Sequence, residues 1–304
     1  MDRIGIIIPV HNRLNTTLSC LGQLQNIQTT GFKVETIIID DGSTDGTPDA
    51  VKENYPNTEI LKGDGNLWWA GGVNKGFDYA LEKGFDFVYL INDDIQLFPD
   101  TLQILYDTLK IHKNSVCSSI SLIKKDYVYY AGYKIVGPFK RTRSLVNGAL
   151  SDSFKGRILK ADTLSTKSVL IPTEIIKKGG CLDSKNLPHN YSDWDYFIRL
   201  KQKGYSLLVN MDSRIETGLS DSNFHHLILE KNRRQIIKTF FDIKYANHLK
   251  TMYIYSKKDK GFITGHVGFV INIFPYIVWA FMKVILSDSI LLKILKRTGR
   301  IETG

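Results

Sequence analysis

One segment indicates the architecture of this chain most clearly: Phe85-Asp86-Phe87-Val88-Tyr89-Leu90-Ile91-Asn92-Asp93-Asp94. Its first seven residues are mostly apolar, as in a strand buried on both faces of a sheet. Three acid or amide side chains follow at the carboxyl end, where open α/β sheets bind their ligands. Adjacent carboxylates repel each other unless a positive charge lies between them, and a hard divalent cation that holds a phosphate supplies that charge. A strand followed by an ordinary polar turn has the same local pattern.

Strand-like and helix-like patterns alternate across the first 125 residues. Further buried strands are predicted at 4–8, 36–39, 59–61 and 116–123, and helices at 15–28, 44–54, 73–83 and 99–112. This alternation is typical of a parallel, doubly wound α/β sheet with right-handed crossovers. The pattern is less regular after residue 125, with strands predicted at 127–132, 159–171 and 206–209 and helices at 173–178 and 193–203.

The chain from residue 228 onward is predicted to be a helical extension. Residues 262–286 are rich in apolar side chains, contain no acid and carry no Lys or Arg before Lys283. This length can span a bilayer, but glycines, polar residues and Pro275 interrupt the pattern. The basic amphipathic segment at 290–297 favours a helix pair on a membrane surface or against a partner. A true span and a cap packed on the preceding domain are the alternatives.

Length and charge limit the classes of protein that fit. The chain has 304 residues and a formal net charge of +9. We predict one α/β domain at 1–225, with halves at 1–125 and 126–225, and the helical extension at 226–304. The positive charge favours an anionic partner such as nucleotide phosphates or anionic lipid. Nucleic acid is not expected as a partner, because the candidate crevice is acidic.

The cysteines and the N-terminal segment point to the cytoplasm. Cys20, Cys117 and Cys181 are far apart in sequence and form no Cys-x-x-Cys motif. This argues against a disulfide framework or a zinc site and fits a reducing compartment. The apolar run at 4–10 is too short for a signal peptide and contains Pro9. We therefore expect a cytoplasmic location, at the inner face of a membrane.

Three further motifs accompany the acidic strand end. Pro9-Val10-His11-Asn12-Arg13 leaves the first predicted strand, Asp40-Asp41-Gly42-Ser43 leaves the second, and Asp193-Trp194-Asp195 lies far downstream. Each alone is an ordinary turn sequence. In this order they resemble the family 2 glycosyltransferases with the GT-A fold, a Rossmann-like, mostly parallel sheet flanked by helices. The resemblance covers about the first 210 residues.

The resemblance implies a nucleotide diphosphate sugar as the donor. Pro9, His11 and Arg13 match the loop that lies against the nucleotide in the family. Asp41, with Asp40 beside it, matches the acid that accepts a hydrogen bond from the base. These five residues are therefore expected to bind the donor.

A divalent cation, Mn²⁺ or Mg²⁺, is the implied cofactor. Asp94 matches the metal-binding acid of the family's Asp-X-Asp motif, and Asp93 matches its neighbour, which faces the ribose or the diphosphate. Asn92 stands where the motif begins with Asp. Many relatives carry a late histidine that completes the metal site, so His225 or His226 is a candidate ligand, with a surface histidine as the alternative.

Asp193 matches the family's catalytic base. Ser192 stands where the family has Glu, and Asp195 and Arg199 continue the motif along a predicted helix. An inverting transfer needs a carboxylate that takes the proton of the acceptor hydroxyl. We expect the helix dipole to keep Asp193 ionised, and a helix N-cap is the alternative role. Asp195 is a candidate for binding the acceptor or the sugar and for an i, i+4 ion pair with Arg199.

The glycine-rich segment at 63–76 also resembles a family motif. Its glycines would allow a ligand to approach the backbone closely, and Asn74 is assigned to donor binding. Trp68 and Trp69 are candidates for lining the donor or acceptor site, because indole faces suit the C–H surface of a sugar. Two core tryptophans that steady a loop are the alternative.

We predict an inverting, metal-dependent glycosyltransferase. It would move a sugar to a glycan or lipid-linked glycan acceptor in cell-surface polysaccharide synthesis, and a general similarity to bacterial polysaccharide enzymes suggests rhamnosyl transfer. A nucleotidyltransferase also sets acids at strand ends, but no Gly-rich, Lys/Arg-containing signature directly follows the first strand. A non-catalytic sugar- or nucleotide-binding module is the alternative outside enzymes. The sequence does not specify an oligomeric state.

Overall fold

The computed structural model describes residues 1–123, 126–137, 139, 141–218, 224–258 and 262–297, except the side chains of residues 225 and 226. Two compact units are present. The first comprises Met1–Ile135, Thr142–Pro188 and Ser192–Gly218, and the second contains the C-terminal helices. The domain boundary expected between residues 225 and 226 stays a prediction.

The first 123 residues form the predicted alternation of strands and helices. The strands are β1 (Asp2–Val10), β2 (Phe32–Asp40), β3 (Glu59–Lys62), β4 (Phe87–Ile91), β5 (Ile95–Leu97) and β6 (Ser115–Ile123). The helices are α1 (Leu14–Leu24), α2 (Thr47–Asn54), α3 (Trp68–Glu82) and α4 (Thr101–Ile111). Each predicted element in this region is therefore present, with shifted ends.

Shorter strands follow. They are β7 (Tyr127–Tyr130), β8 (Tyr133–Val136), β9 (Arg141–Ser144), β10 (Gly148–Ala149), β11 (Ile158–Lys160), β12 (Ser168–Pro172) and β13 (Ser206–Thr217). The helices between them are α5 (Thr173–Gly179) and α6 (Ser192–Gln202). The single strand expected at 159–171 is wrong: a polar loop at 161–167 separates β11 from β12. Asp162 in this loop accepts the Ile135 N–H, which draws the chain out of the sheet.

The sheet is mixed, with a parallel core. Strands β3, β2, β1 and β4 are neighbours in that order and run parallel. β12 lies antiparallel between β4 and β6, and β13 runs parallel to β6. The chain proceeds outward from β1 through β2 to β3 and then returns to β4 on the other side of β1. This reversal makes the carboxyl end of β1 the topological switch point, where open α/β sheets bind ligands.

Side chains of β1 pack on both faces of the sheet, which explains its continuous apolar sequence. Ile4, Ile6 and Ile8 belong to one buried cluster, with residues of α1 and α4. Ile7 belongs to the other, with residues of α3 and α6. The sheet is therefore covered by helices on both sides, as predicted.

The second unit contains α7 (Phe224–Glu230), α8 (Arg233–Thr239), α9 (Leu249–Lys257), α10 (Phe262–Ile285) and α11 (Asp288–Arg297). α10 is one continuous helix of 24 residues, and it contains the glycines, polar residues and Pro275 that interrupt the apolar pattern. By length and composition alone, it is the one described helix that could cross a membrane.

Candidate active site at the carboxyl ends of the parallel strands

The ends of three parallel strands lie side by side in this structure. β1 pairs with β2 through Val10 and Asp40 and with β4 through Ile7 and Leu90. The polar motifs after these strands therefore leave the same edge of the sheet. The predicted convergence of the motifs on one crevice agrees with this geometry.

Hydrogen bonds join the loops after β1 and β2. The His11 Nδ1–H donates to the Asp41 carbonyl oxygen at 2.7 Å. The Asn12 N–H donates to Ser43 Oγ at 2.8 Å, and the Thr44 N–H donates to Asn12 Oδ1 at 2.7 Å. His11 is thus held beside Asp41 by the backbone, which fixes the ring at the strand edge.

Asp41 organises the next loop. Its Oδ1 accepts the Gly65 N–H and its Oδ2 accepts the Trp68 N–H, each at 2.9 Å. The side chain is buried, and Asp40 beside it accepts the Ser43 N–H. Both oxygens of Asp41 thus already bind backbone donors, and its predicted contact with a nucleotide base stays a prediction.

Arg13 binds both acids at the end of β4. Its Nε lies 3.1 Å from Asp93 Oδ1 and its Nη2 lies 3.2 Å from Asp94 Oδ2. Asp93 is buried and also accepts the Thr17 hydroxyl at 3.1 Å, whereas Asp94 is exposed. Burial raises the pKa of Asp93 to about 6, and the charge of Arg13 opposes this rise. Arg13, expected to contact the nucleotide, is the cation that lets the two carboxylates lie together.

Lys167 is a functional candidate that the sequence reasoning missed. Its Nζ donates to Thr217 Oγ1 at 3.1 Å and lies 5.9 Å from the centre of the Tyr129 ring. Burial lowers the pKa of Lys167, and the nearby charge of Asp94 opposes this shift. One signal was present in the sequence, because Lys167 is the single charged residue between Asp162 and Glu174.

A pocket of about 490 Å³ adjoins the acidic pair. Its wall combines Asp93 and Asp94 with residues of α1 and the end of β13, including Glu216 and Thr217. Thr217 is also the hydrogen-bond partner of Lys167. The pocket therefore brings carboxylates to one concave surface, and Lys167 contacts one of its lining residues.

The oxygen donors at this edge fit a hard divalent cation. Asp94 offers an exposed carboxylate, and the buried Asn92 Oδ1 has no hydrogen-bond partner. No cluster of three His, Cys, Asp or Glu side chains suited to a metal occurs among the described residues. Mg²⁺ in nucleotide sites is held by one or two carboxylates together with substrate phosphates, and the exposed Asp94 is a carboxylate of this kind. The side chains of His225 and His226 lie outside the described residues.

The role expected for the glycine-rich segment needs correction. Helix α3 begins at Trp68 and not at Val73, so Gly72 and Gly76 lie inside a helix. A Cβ atom at Gly76 would lie 2.5 Å from Ile7 Cγ2, and one at Gly72 would lie 3.2 Å from Pro9 Cβ. These two glycines allow close packing of α3 on β1 rather than close approach of a ligand.

The polar and aromatic residues of this segment have protein partners. The Asn74 side chain exchanges two hydrogen bonds with the backbone of Leu182, each at 2.9 Å. Trp69 packs against the core beneath α3. Trp68 has a φ of 55° and presents its N–H to Asp41. Asn74 and Trp69 thus have structural contacts, while their predicted ligand contacts stay predictions.

Asp193 lies in the first turn of α6, which begins at Ser192. Its Oδ1 accepts the Trp194 N–H at 2.8 Å. Burial raises the pKa of Asp193 to about 6 and outweighs this hydrogen bond. Desolvation therefore opposes the effect expected of the helix dipole, and a pKa of about 6 leaves Asp193 ionised at neutral pH. Asp193 is a carboxylate above about pH 6 and a stronger base than an exposed aspartate.

The predicted ion pair on α6 is confirmed. Arg199 Nε lies 2.9 Å from Asp195 Oδ2, and Asp195 is buried. Arg199 also donates to the Cys181 carbonyl oxygen at 2.8 Å. Asp195 thus has a structural partner, and its assignment to sugar binding stays a prediction.

Comparison with known proteins agrees with this architecture. Residues 5–164, more than half of the chain, match the profile of the family described as "Glycosyl transferase family 2". "Uncharacterized glycosyltransferase YibD" of Escherichia coli is 31% identical over 32% of this chain and 28% of its own length. An "N-acetylglucosaminyl-diphospho-decaprenol L-rhamnosyltransferase" of Mycobacterium tuberculosis is 35% identical over 22% of this chain and 24% of its own. The matched regions span about a quarter of these relatives.

Two solved structures share the fold. GalNAc-T7 with UDP, GalNAc and Mn²⁺ has a TM-score of 0.60 at 11% identity, over 90% of this chain and 54% of its own. The mannosyltransferase PcManGT of Pyrobaculum calidifontis, in complex with GDP-Man and Mn²⁺, has a TM-score of 0.53 at 14% identity. The match covers 96% of this chain and 86% of that one. The predicted GT-A fold is confirmed by these neighbours. Because the family profile matches more than half of the chain, and the fold and its acidic strand ends agree with it, the chain belongs to glycosyltransferase family 2.

Proposed function

We propose that this glycosyltransferase inverts the anomeric configuration of the sugar that it transfers, and that the donor is a nucleotide diphosphate sugar. One observation carries the proposal: the loop at 161–167 connects the start of α6 to the end of β4. The Thr163 hydroxyl donates to the carbonyl oxygen of Trp194, next to Asp193, at 3.0 Å, and the Asn92 N–H, next to the acidic pair, donates to the Lys167 carbonyl oxygen at 3.4 Å. A proton acceptor and a site suited to a diphosphate therefore adjoin one short loop, as a direct displacement requires.

The proposed reaction has a single displacement. The acceptor hydroxyl oxygen forms a bond to the anomeric carbon while the bond from this carbon to the diphosphate oxygen breaks. The hydroxyl proton passes to Asp193, and the electron pair leaves with the nucleoside diphosphate. Asp193 suits this role, because a pKa of about 6 leaves it ionised at neutral pH yet able to hold a proton.

Donor binding is assigned to the edge formed by β1, β2 and β4. Arg13 and Lys167 supply positive charge beside the acidic pair, Asp94 would hold Mn²⁺ or Mg²⁺, and Asp93 would face the ribose or the diphosphate. When bound, such a cation neutralises charge that develops on the leaving diphosphate. The remaining proposed donor contacts are Pro9, His11, Asp40, Asp41 and Asn74.

A glycan or a lipid-linked glycan is the proposed acceptor. The name of the Mycobacterium tuberculosis relative supports this class, since it describes a rhamnosyltransferase that acts on an N-acetylglucosaminyl-diphospho-decaprenol. Cell-surface polysaccharide synthesis at the inner face of the membrane is the setting that fits such an acceptor. Trp68, Trp69 and Asp195 are proposed to border the acceptor or the transferred sugar.

A ligand screen followed by a transfer assay tests this function. Melting temperatures are measured with a panel of nucleotide diphosphate sugars, each with and without Mn²⁺ or Mg²⁺. A true donor at a hundredfold excess over its Kd stabilises the fold by about 2.7 kcal/mol. The best donor is then incubated with lipid-linked and free glycans, and the anomeric configuration of the product is determined. Retention of configuration, or binding without transfer or donor hydrolysis, would contradict the proposal.

A further inference from the structure

Helix α10 carries an exposed apolar stripe. Its members recur at alternating intervals of four and three residues along one side of the helix, and they are Ile263, Val267, Val270, Phe274, Ile277 and Phe281. Between 39% and 75% of each residue is exposed. Soluble proteins rarely leave a contiguous apolar surface of this kind without a partner. The spacing keeps these side chains on one face over nearly the full helix.

The opposite face of α10 is packed against the other helices of the second unit. Gly265 lies so close to α9 that a Cβ there would be 3.0 Å from Lys257 Cα. Tyr276 contacts Phe224 of α7, with ring centroids 5.0 Å apart. At the carboxyl end, the buried Lys283 forms an ion pair with Asp288 of α11 at 2.6 Å. Packed helices therefore accompany α10 from one end to the other.

This packing argues against a span. The helix is long enough, since 24 residues rise about 36 Å and the hydrocarbon core is about 30 Å thick. A spanning orientation would carry the accompanying helices into hydrocarbon, including Arg233 and Arg234 of α8 and Lys250 of α9, all exposed. Charged side chains at the bilayer centre are costly. With α10 in the plane of the surface, they stay in water while the stripe reaches the acyl chains.

Charge favours an anionic bilayer over a second copy of the chain. Residues 262–282 contain no charged side chain, so positions flanking the stripe lack the ion pairs that coiled coils use to select partners. The adjoining α11 exposes Lys293, Lys296 and Arg297. Basic residues beside an apolar helix face are the combination that binds anionic lipid surfaces.

We propose that α10 lies in the plane of an anionic membrane surface, with the apolar stripe in the acyl boundary and the basic side chains of α11 at the headgroups. This contact is independent of the transfer chemistry. It would hold the enzyme at the surface where a lipid-linked acceptor resides.

Vesicle flotation of the full chain tests the proposal. Vesicles of phosphatidylcholine alone and with phosphatidylglycerol are compared at low salt. The double variant Phe274→Asp/Phe281→Asp should bind the anionic vesicles about tenfold or more weakly. Ile111→Asp is the matched control, because Ile111 is an exposed apolar residue outside α10, and it should bind like the parent. Melting curves identify any variant that fails to fold. The double variant Lys293→Glu/Lys296→Glu leaves the stripe intact and tests the proposed contact of α11 with the headgroups.

Cysteine labelling distinguishes a surface helix from a span. Thr264→Cys lies in the first turn of α10 and Ser287→Cys lies two residues after its end. Both are made in a Cys181→Ser background, since Cys20 and Cys117 are buried. A membrane-impermeant maleimide outside sealed vesicles should label both positions. Labelling at one end only would overturn the proposal, as would unchanged binding of the stripe variant. If sedimentation shows dimers that depend on the stripe and flotation shows no vesicle binding, the stripe contacts a second copy of the chain. That result would also overturn the proposal.

Discussion

Thr163 donates its hydroxyl to the carbonyl oxygen of Trp194, the residue after Asp193, at 3.0 Å. In the same loop, the Lys167 carbonyl oxygen accepts the Asn92 N–H at 3.4 Å, and the Lys167 side chain donates to the Thr217 hydroxyl. One loop thus contacts the chain neighbours of the proposed base and of the acids proposed to bind the cation and the donor. The loop that interrupts the expected strand at 159–171 is therefore a central part of the candidate site.

Replacing Lys167 should weaken donor binding. Lys167→Met keeps the length of the side chain but removes a cation from beside the proposed diphosphate site. A hydrogen bond to a charged group contributes about 1.5–3 kcal/mol, so donor Kd should rise about tenfold or more. Titration calorimetry measures the change. Lys178→Met is the control, because Lys178 is exposed and pairs with Glu174 on the surface. Equal donor affinity in the two variants would remove Lys167 from the site.

Replacing Asp94 should abolish the metal-dependent part of donor binding. Asp94→Ala removes an exposed carboxylate, so a divalent cation loses its ligand while the fold is retained. Donor titrations with and without Mn²⁺ measure the effect. Asp93→Ala should instead lower the melting temperature, because it removes a buried partner of Arg13 and Thr17. The assignment would be contradicted if Mn²⁺ changed the donor affinity of Asp94→Ala as much as it changes that of the parent.

The strand ends could be predicted from sequence for a physical reason. Parallel strands place their carboxyl ends at one edge, so the motifs containing Arg13, Asp41 and Asp94 could be brought together before any contact was known. Lys167 could not be found in this way, because it lies in the loop between β11 and β12, and these two strands run antiparallel to different partners. The raised pKa of Asp193 could not be predicted either, since a sequence pattern shows the start of a helix but not the burial of the side chain.

The glycines of α3 illustrate a second limit of sequence reasoning. A missing Cβ leaves space for a ligand or for a neighbouring element, and only the packing of α3 on β1 shows that Ile7 fills it. Gly76→Ala should therefore destabilise the fold by about 1–3 kcal/mol through overpacking. Gly22→Ala is the control, because its Cβ would meet only the end of the Tyr55 side chain. Denaturant unfolding measures both, and equal stability of the variants would contradict the packing role.

Asp195 should matter for stability more than for turnover. Asp195→Asn breaks a buried ion pair with Arg199, which typically costs about 3 kcal/mol or more in the free energy of unfolding. Glu174→Gln is the control. It breaks an i, i+4 ion pair with Lys178 in which both side chains are exposed, so it should change stability little. Chemical denaturation measures both variants. A folded, equally stable Asp195→Asn enzyme with reduced turnover would instead support contact with the sugar or the acceptor.

Single-turnover transfer by Asp193→Asn, at saturating donor and acceptor, tests the central claim most directly. The amide keeps the size of the side chain but cannot take the acceptor proton, so the rate should fall about 10²- to 10⁴-fold with donor affinity unchanged. In the parent, the rate should be lost as pH falls through about 6, because protonation of Asp193 removes the base. A folded Asp193→Asn enzyme with the parent rate and the same pH profile would contradict the account.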